Sequence, residues 1–348
     1  VQPIRAVQWS AAGDAVRIID QRRLPSEVVE RDLRTVDDVC DAIRTLAVRG
    51  APAIGIAGAM GLVAAVAPYA GEPEGATPGR AAFDAIVAQA ASRIAGARPT
   101  AVNLAWAVNR VVRAARAASG SPRAALEAMR REATAILDED RAMCDAIGRH
   151  ALAFVADGAT VLTHCNAGAL ATAGIGTALA PVYAAHAAGR RVRVVADETR
   201  PLLQGSRLTA WELQRAGIPV EVIADAAAAA LMARRRVDVV LVGADRIAAN
   251  GDVANKVGTY GLAIAAASHG VPFVVCAPSS TIDPLAPSGD AIAIEERDPA
   301  ELLAVGGVPT APDGAAAWNP AFDVTPGRLV TAIVTDTGVC RAPYNFRA

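Results

Sequence analysis

The chain has 348 residues, of which 53% are apolar and only 4% aromatic, and its formal net charge is -1. That length allows two domains or one large one, and an apolar fraction carried largely by alanine predicts helix-rich cores of small side chains. Charge near neutrality, with both signs mixed along the chain, implies no basic face for nucleic acid.

The first 150 residues read as a mostly helical domain. Alternating runs at 4–9 and 15–20 predict a small β element, and a turn follows at Arg23-Leu-Pro25. Helical patterns come next over 36–47, 52–67, 80–96, 101–118 and 122–150, with a Pro/Gly-rich loop over 68–79. Residues 51–70 carry no charge and nearly reach the length of a membrane span. Glycine and alanine dominate there and prolines stand near both ends, so a buried core helix is expected and no membrane partner.

From about 151 to 348 the texture changes. Short β-branched runs at 159–163, 191–196, 219–224, 237–243, 272–276 and 329–334 alternate with helix-length segments, which predicts a parallel α/β sheet. Residues 277–325 read as a long irregular excursion before the last strand. Ligands of an open parallel sheet bind beyond the carboxyl ends of its strands. The residues to inspect are therefore His164-Cys165-Asn166, Asp197-Glu198-Thr199-Arg200, Asp225, Ala244-Asp245-Arg246 and Ala277-Pro278-Ser279.

Five cysteines, Cys40, Cys144, Cys165, Cys276 and Cys340, stand far apart without a C-x-x-C pair. Free thiols in a reducing compartment are expected, the cytoplasm being the natural one, and the N-terminus shows no signal-peptide pattern. Cys165 stands where a strand ends and a glycine-bearing helix is expected, a place that favours the thiolate. The other four cysteines read as small buried hydrophobes. Adjacent residues of an extended chain point to opposite faces, so His164 is expected to be a satisfied core histidine rather than the base of a Cys-His pair. Asp245, at a strand end and partly desolvated, is expected to hold a raised pKa and to act as an acid.

Of 34 basic side chains only Lys256 is a lysine. A compact, rotatable ammonium kept in an arginine-rich chain points to a partner such as phosphate. Arg49-Gly50-Ala51-Pro52 and Arg98-Pro-Thr-Ala-Val-Asn103 each place an arginine before a helix start, where unpaired amides favour anions. There is no G-x-G-x-x-G, no Walker motif and no H-E-x-x-H, and the four histidines have no metal-ligand spacing. No cofactor and no metal are expected.

The segments Arg49-Gly-Ala-Pro-Ala-Ile-Gly55, Arg98-Pro-Thr-Ala-Val-Asn103, Thr163-His-Cys-Asn-Ala-Gly168, Glu198-Thr-Arg-Pro-Leu-Leu-Gln-Gly-Ser-Arg-Leu-Thr209, Gly243-Ala-Asp-Arg246 and Asn255-Lys-Val-Gly-Thr259 resemble the methylthioribose-1-phosphate isomerase family of methionine salvage. Ile294-Glu-Glu-Arg297 and Asn319-Pro-Ala-Phe-Asp-Val-Thr-Pro326 extend the match over nearly the whole chain, and Thr335-Asp-Thr-Gly338 departs slightly from the usual wording. That family is similar in fold to the regulatory subunits of the eukaryotic initiation-factor exchange complex and to ribose-1,5-bisphosphate isomerases. The resemblance implies a helical N-terminal domain, a Rossmann-like α/β domain and a homodimer. It implies Cys165 and Asp245 as the catalytic pair, with Arg49, Gly50, Ala51, Arg98, Gln204, Asn255 and Lys256 binding the sugar phosphate. The implied reaction opens a cyclic aldose 1-phosphate to a ketose 1-phosphate, with Asp245, kept protonated by burial, as acid at the ring oxygen. Hydride shift and proton transfer from C2 to C1 both remain open for Cys165, as do 5-deoxyribose 1-phosphate and ribose 1,5-bisphosphate as substrates, and a regulatory subunit that binds without turnover.

Overall fold

The computed structural model describes residues 4–70, 79–99 and 101–346. It divides into two compact units, one of residues 3–142 with 169–174, the other of 1–2, 143–168 and 175–348.

The N-terminal unit opens with an antiparallel sheet of β1 (Val7–Trp9), β2 (Val16–Ile19) and β3 (Glu30–Leu33). The alternating runs anticipated the first two strands. The third is three-quarters charged by sequence, and pairing makes it a strand: Arg17 on β2 donates to Asp32 at 2.8 Å and reaches Glu30 at 3.3 Å. Five helices follow at the expected places: α1 (Val36–Arg44), α2 (Ala51–Val66), α3 (Arg80–Ala95), α4 (Val102–Ala117) and α5 (Pro122–Ala151), the last of which counts with the C-terminal unit from Met143 on. Thr35 and Asp38 form a reciprocal capping box at the start of α1. Of the expected loop at 68–79, residues 71–78 lie outside the described residues, and Ala67–Ala70 forms a 3-10 turn.

Helix α2 is apolar on all sides and is the core of this unit. Ala51–Ala70 has the length and apolar character to cross a membrane, yet 78% of its apolar window is buried in the fold. Glycines make the burial possible. A Cβ added at Gly55 would come within 2.9 Å of the Asn103 carbonyl oxygen on α4, and one at Gly61 within 2.5 Å of Val39 on α1. The first turns of α2 and α4 therefore touch backbone to backbone.

The C-terminal unit is built on a sheet of β4 (Thr160–Thr163), β5 (Arg193–Asp197), β6 (Val220–Ile223), β7 (Val239–Val242), β10 (Phe273–Cys276) and β15 (Ala332–Thr335), all parallel, with β16 (Gly338–Cys340) antiparallel at one edge. Counting parallel strands in chain order, the spatial order is 3-2-1-4-5-6, that of doubly wound nucleotide-binding sheets. Val161 and Leu241 face a core that includes α6 (Ala180–Ala187) and α7 (Ala210–Arg215), whereas Leu162 and Val240 face α8 (Ala228–Ala233) and α9 (Thr259–His269). Burial on both faces is why these strands read as unbroken apolar runs.

The stretch 277–325 departs from the expected irregular excursion. It holds β11 (Ile282–Asp283), α10 (Ala300–Leu303), a hairpin of β12 (Ala304–Val305) and β13 (Val308–Pro309), and β14 (Phe322–Thr325). Strands β8 (Arg246–Ala248) and β9 (Val253–Lys256) form an antiparallel hairpin directly after β7, and β11 and β14 flank it to give a second sheet in the order β11-β8-β9-β14. The strands are two to four residues long, too short for a periodic signal.

Candidate active site

The parallel strands end on one edge, and the order reverses between the first strand, β4, and the fourth, β7. Cys165 follows β4 and Asp245 follows β7, so the two come just beyond the ends of the pair of strands between which the order reverses, where open parallel sheets bind ligands.

Cys165 is partly exposed and adopts a φ of 66°. The left-handed region costs a residue with a Cβ about 1–2 kcal/mol, so neighbours must hold it there. Two threonine hydroxyls do so. The Cys165 N–H donates to Thr199 Oγ1 at 2.9 Å, and Thr209 Oγ1 donates to the Cys165 carbonyl at 2.6 Å. The expected helix after Cys165 is absent: Ala169–Ala171 forms a 3-10 turn and α6 begins only at Ala180. The reason lies in the partners of this segment. Residues 169–174 belong to the N-terminal unit, where Gln21 Nε2 donates to the Leu170 carbonyl and the Ala173 N–H to Asp140. A helix dipole therefore does not act on Cys165.

His164 is buried, as expected of a core histidine, and its ring is fully engaged. Nε2 lies 2.8 Å from the Val257 carbonyl oxygen and Nδ1 lies 2.9 Å from Asp197 Oδ2. A carbonyl only accepts, so Nε2 carries a proton. Burial opposes charge on the imidazole, but the Asp197 hydrogen bond and carboxylate outweigh it and hold its pKa above the ordinary value. Burial also pushes the Asp197 carboxyl up, against the His164 bond. Both shifts retain one proton in the pair. Asp225 accepts the N–H groups of Thr199 at 2.7 Å and Arg200 at 2.8 Å. His164, Asp197 and Asp225 bring potential ligand atoms within 4.8 Å of one another, the one such group among the described residues. The His164 ring nitrogens, Asp197 Oδ2 and both Asp225 oxygens already serve these hydrogen bonds, whereas Asp197 Oδ1 is buried with no hydrogen-bond partner among the described residues.

Asp245 is exposed, which corrects the expectation that burial keeps it protonated. It precedes β8, at the surface of the second sheet, and its N–H donates to the Ala254 carbonyl. Continuing the β8–β9 register, in which Arg246 faces Ala254, sets Asp245 opposite Asn255. Asn255 and Lys256 lie on β9 itself and not on a loop. Both are buried. Asn255 Nδ2 donates to Thr259 Oγ1 at 3.1 Å. Lys256 Nζ donates to the Ala321 carbonyl at 2.7 Å and stands 5.1 Å from the Phe322 ring centroid. Gln204 precedes a π-helical turn, Gly205–Thr209, and its Oε1 is buried with no partner among the described residues.

Cys165, Gln204, Asp245, Asn255 and Lys256 thus belong to the C-terminal unit. Arg49, Gly50, Ala51 and Arg98 belong to the N-terminal unit. Gly50, with φ 90°, is the residue before α2, and a Cβ there would meet Ala171 at 2.6 Å. Helix α2 begins at Ala51, so Pro52 takes its second position. Arg98 precedes α4, whose first turn meets α2 at Gly55, so both arginines flank helix starts that lie side by side. Sequence reasoning singled out Thr199 as a strand-end residue without a role and gave Thr209 no attention of its own. Both lie inside the motif Glu198–Thr209, but nothing in that stretch marks a hydroxyl that will meet Cys165 more than thirty positions away.

Residues 47–342 match the model of the initiation factor 2 subunit family. The chain is 59% identical over 344 residues to a methylthioribose-1-phosphate isomerase of Gemmatimonas aurantiaca, covering 99% of this chain and 96% of the relative. It is 56% identical, at the same coverage, to a 5-deoxyribose 1-phosphate isomerase of Moorella thermoacetica. Among solved structures, the 5-methylthioribose 1-phosphate isomerase of Pyrococcus horikoshii superposes with a TM-score of 0.90 at 42% identity, over 99% of this chain and 94% of that one. The chain belongs to the initiation factor 2 subunit family, and the sugar-phosphate isomerases of that family match it along nearly their whole length.

Proposed function

We propose that this protein is an aldose-ketose isomerase that converts 5-methylthioribose 1-phosphate to 5-methylthioribulose 1-phosphate. The observation that carries the reading is the placement of Cys165 and Asp245 at the strand ends on either side of the order reversal, in a chain 59% identical to an isomerase of that name.

The anomeric carbon of the substrate is phosphorylated, so its ring cannot open to a free aldehyde. Asp245 donates a proton to the ring oxygen as the bond from that oxygen to C1 breaks. Asp245 is exposed, so the bound sugar itself must cover the carboxyl; that desolvation, together with the nearby phosphate charge, favours the protonated form. Cys165 then assists the transfer of hydrogen from C2 to C1, and the C2 hydroxyl loses its proton as the ketone forms, which replaces the proton that Asp245 gave to the ring oxygen. Lys256 anchors the phosphate beside Asn255. Gln204 offers its Oε1 to a ligand N–H or O–H, and in the N-terminal unit Arg49 and Arg98, with the amides of Gly50 and Ala51, are the residues suited to bind an anionic substrate. The protein acts as a homodimer in the cytoplasm and needs no cofactor.

Phosphorus NMR of the purified protein with 5-methylthioribose 1-phosphate, 5-deoxyribose 1-phosphate and ribose 1,5-bisphosphate tests the reading. Fastest turnover is expected for the methylthio sugar. Fastest turnover of 5-deoxyribose 1-phosphate would favour instead the activity named for the Moorella relative. Cys165→Ser and Asp245→Asn are each expected to lower kcat by about 10²–10⁴ while substrate still binds. Wild-type rates in either variant would remove that residue from the mechanism. In deuterated water, solvent deuterium at C1 would exclude a hydride shift.

A further inference from the structure

We infer that Thr199 and Thr209 are positioning residues of this site, a two-hydroxyl clamp that holds Cys165 in the left-handed conformation its chemistry uses. The inference rests on the isomerase reading and deepens it.

The conformation of a residue is the angle between the two peptide groups that flank it. At Cys165 both groups are tied. Its N–H, in the peptide before it, donates to Thr199 Oγ1, and its carbonyl, in the peptide after it, accepts from Thr209 Oγ1. Each hydroxyl is itself fixed by a second bond. Thr199 Oγ1 donates to the Asp197 carbonyl at 3.0 Å, and Thr209 Oγ1 accepts from Asn166 Nδ2 at 3.2 Å. Both threonines are fully buried, so water cannot replace either hydroxyl.

The holders are held in turn. Thr199 has a φ of 67°, a genuine outlier for a β-branched residue, and Asp225 fixes it by accepting the N–H groups on both sides of its carbonyl. Thr209 ends the π-helical turn, and the residue that starts this turn, Gly205, sits where a Cβ would meet the Asp197 carbonyl oxygen at 1.6 Å. Strained backbone kept by this many directional bonds, beside the residue assigned to the chemistry, is what a preorganised site requires. A buried hydroxyl serving the fold alone has no need to select Cys165 from both sides.

The test compares isosteric and conservative variants. Thr199→Val and Thr209→Val remove the hydroxyl and keep the shape. Thr199→Ser and Thr209→Ser keep the hydroxyl. Thr335→Val is the control, since Thr335 is a buried threonine of the same sheet whose hydroxyl meets Thr337. The valine variants are expected to lose about tenfold to a hundredfold in kcat with KM nearly unchanged, because a small misplacement of a reacting group costs rate and not ground-state binding. The serine variants and Thr335→Val are expected to keep kcat within about threefold. A second readout needs no substrate. With the clamp open, iodoacetamide should modify Cys165 at least about threefold faster, measured by mass spectrometry against the partly exposed Cys340.

Valine variants with wild-type kcat, or a loss in kcat matched by Thr335→Val, overturn the clamp. So does unchanged modification of Cys165. Where a valine variant does not fold, its serine counterpart decides: kcat near wild type supports the hydroxyl, and kcat lost with the hydroxyl present overturns it. If the wild-type protein turns over none of the sugar phosphates, the isomerase reading fails, and the modification rates still judge the clamp.

Discussion

The bed around α2 and the strand-end crest around Cys165 are both fully packed, but by opposite means. The bed uses shape. Small side chains let helices approach until glycine meets backbone, and almost every contact is apolar and non-directional. The crest uses directed bonds. Polar groups on three neighbouring strand ends bond one another through named donors and acceptors, with Asp197 Oδ1 left over, and residues with positive φ are held inside that network. The bed gains stability from each added contact. The crest holds a strained arrangement in place, which apolar packing alone would not do.

That contrast can be broken most directly with glycines. At Gly205 an added Cβ would stand 1.6 Å from the main-chain oxygen of Asp197, whereas at Gly58 it would meet Leu104 Cδ1 at 2.4 Å, the end of a flexible side chain. Gly205→Ala is expected to cost at least about 3 kcal/mol, and Gly58→Ala about 1 kcal/mol or less once the helix preference of alanine is set against the crowding. Urea midpoints measure both, and equal costs would erase the distinction. A smaller effect is expected at Lys256. A guanidinium cannot take the place of an ammonium seated between the Ala321 carbonyl and the Phe322 ring, so Lys256→Arg should raise KM by about tenfold and leave the pH profile of kcat alone. An unchanged KM would free Lys256 from the phosphate role.

The smallest effect concerns pH. The His164–Asp197 pair retains its proton to a higher pH than in the unfolded chain, and the neighbouring charge of Asp225 adds to this. A raised folded pKa gives stability that is fully present below the unfolded histidine value of about 6.5 and is lost as pH rises through the folded value. Asp197→Asn removes the carboxylate that raises it. The wild type should therefore lose more stability than the variant between neutral and alkaline pH, read from unfolding midpoints. Parallel curves would show that the pair does not titrate as described.

The bed was legible in the sequence and the crest only in part. Helix α2 announces itself as an uncharged run, and β4, β7 and β10 as short apolar ones, because burial on all sides leaves no polar residue to blur them. The strand ends that Cys165 and Asp245 follow could be located from such runs. The second sheet could not. Its strands are short, and β9 takes as partner β14, which pairs Lys256 with Phe322 far along the chain. Strand β3 escaped because Glu30, Arg31 and Asp32 look like loop until Arg17 is placed beside them. The exposure of Asp245 also escaped, since a strand end predicts position along a sheet and not cover.

The pairing of β9 with β14 also sets an order of events during synthesis. After β4 the ribosome releases β5, β6, β7 and β10 in sequence, and each can dock beside a neighbour already made. The strand that carries Lys256 waits for Phe322–Thr325 before one of its edges is covered. A nascent chain halted before that point would hold Cys165 and Asp245 and still lack the carbonyl of Ala321 that seats the lysine. The seat of Lys256 is therefore among the last parts of this unit to form.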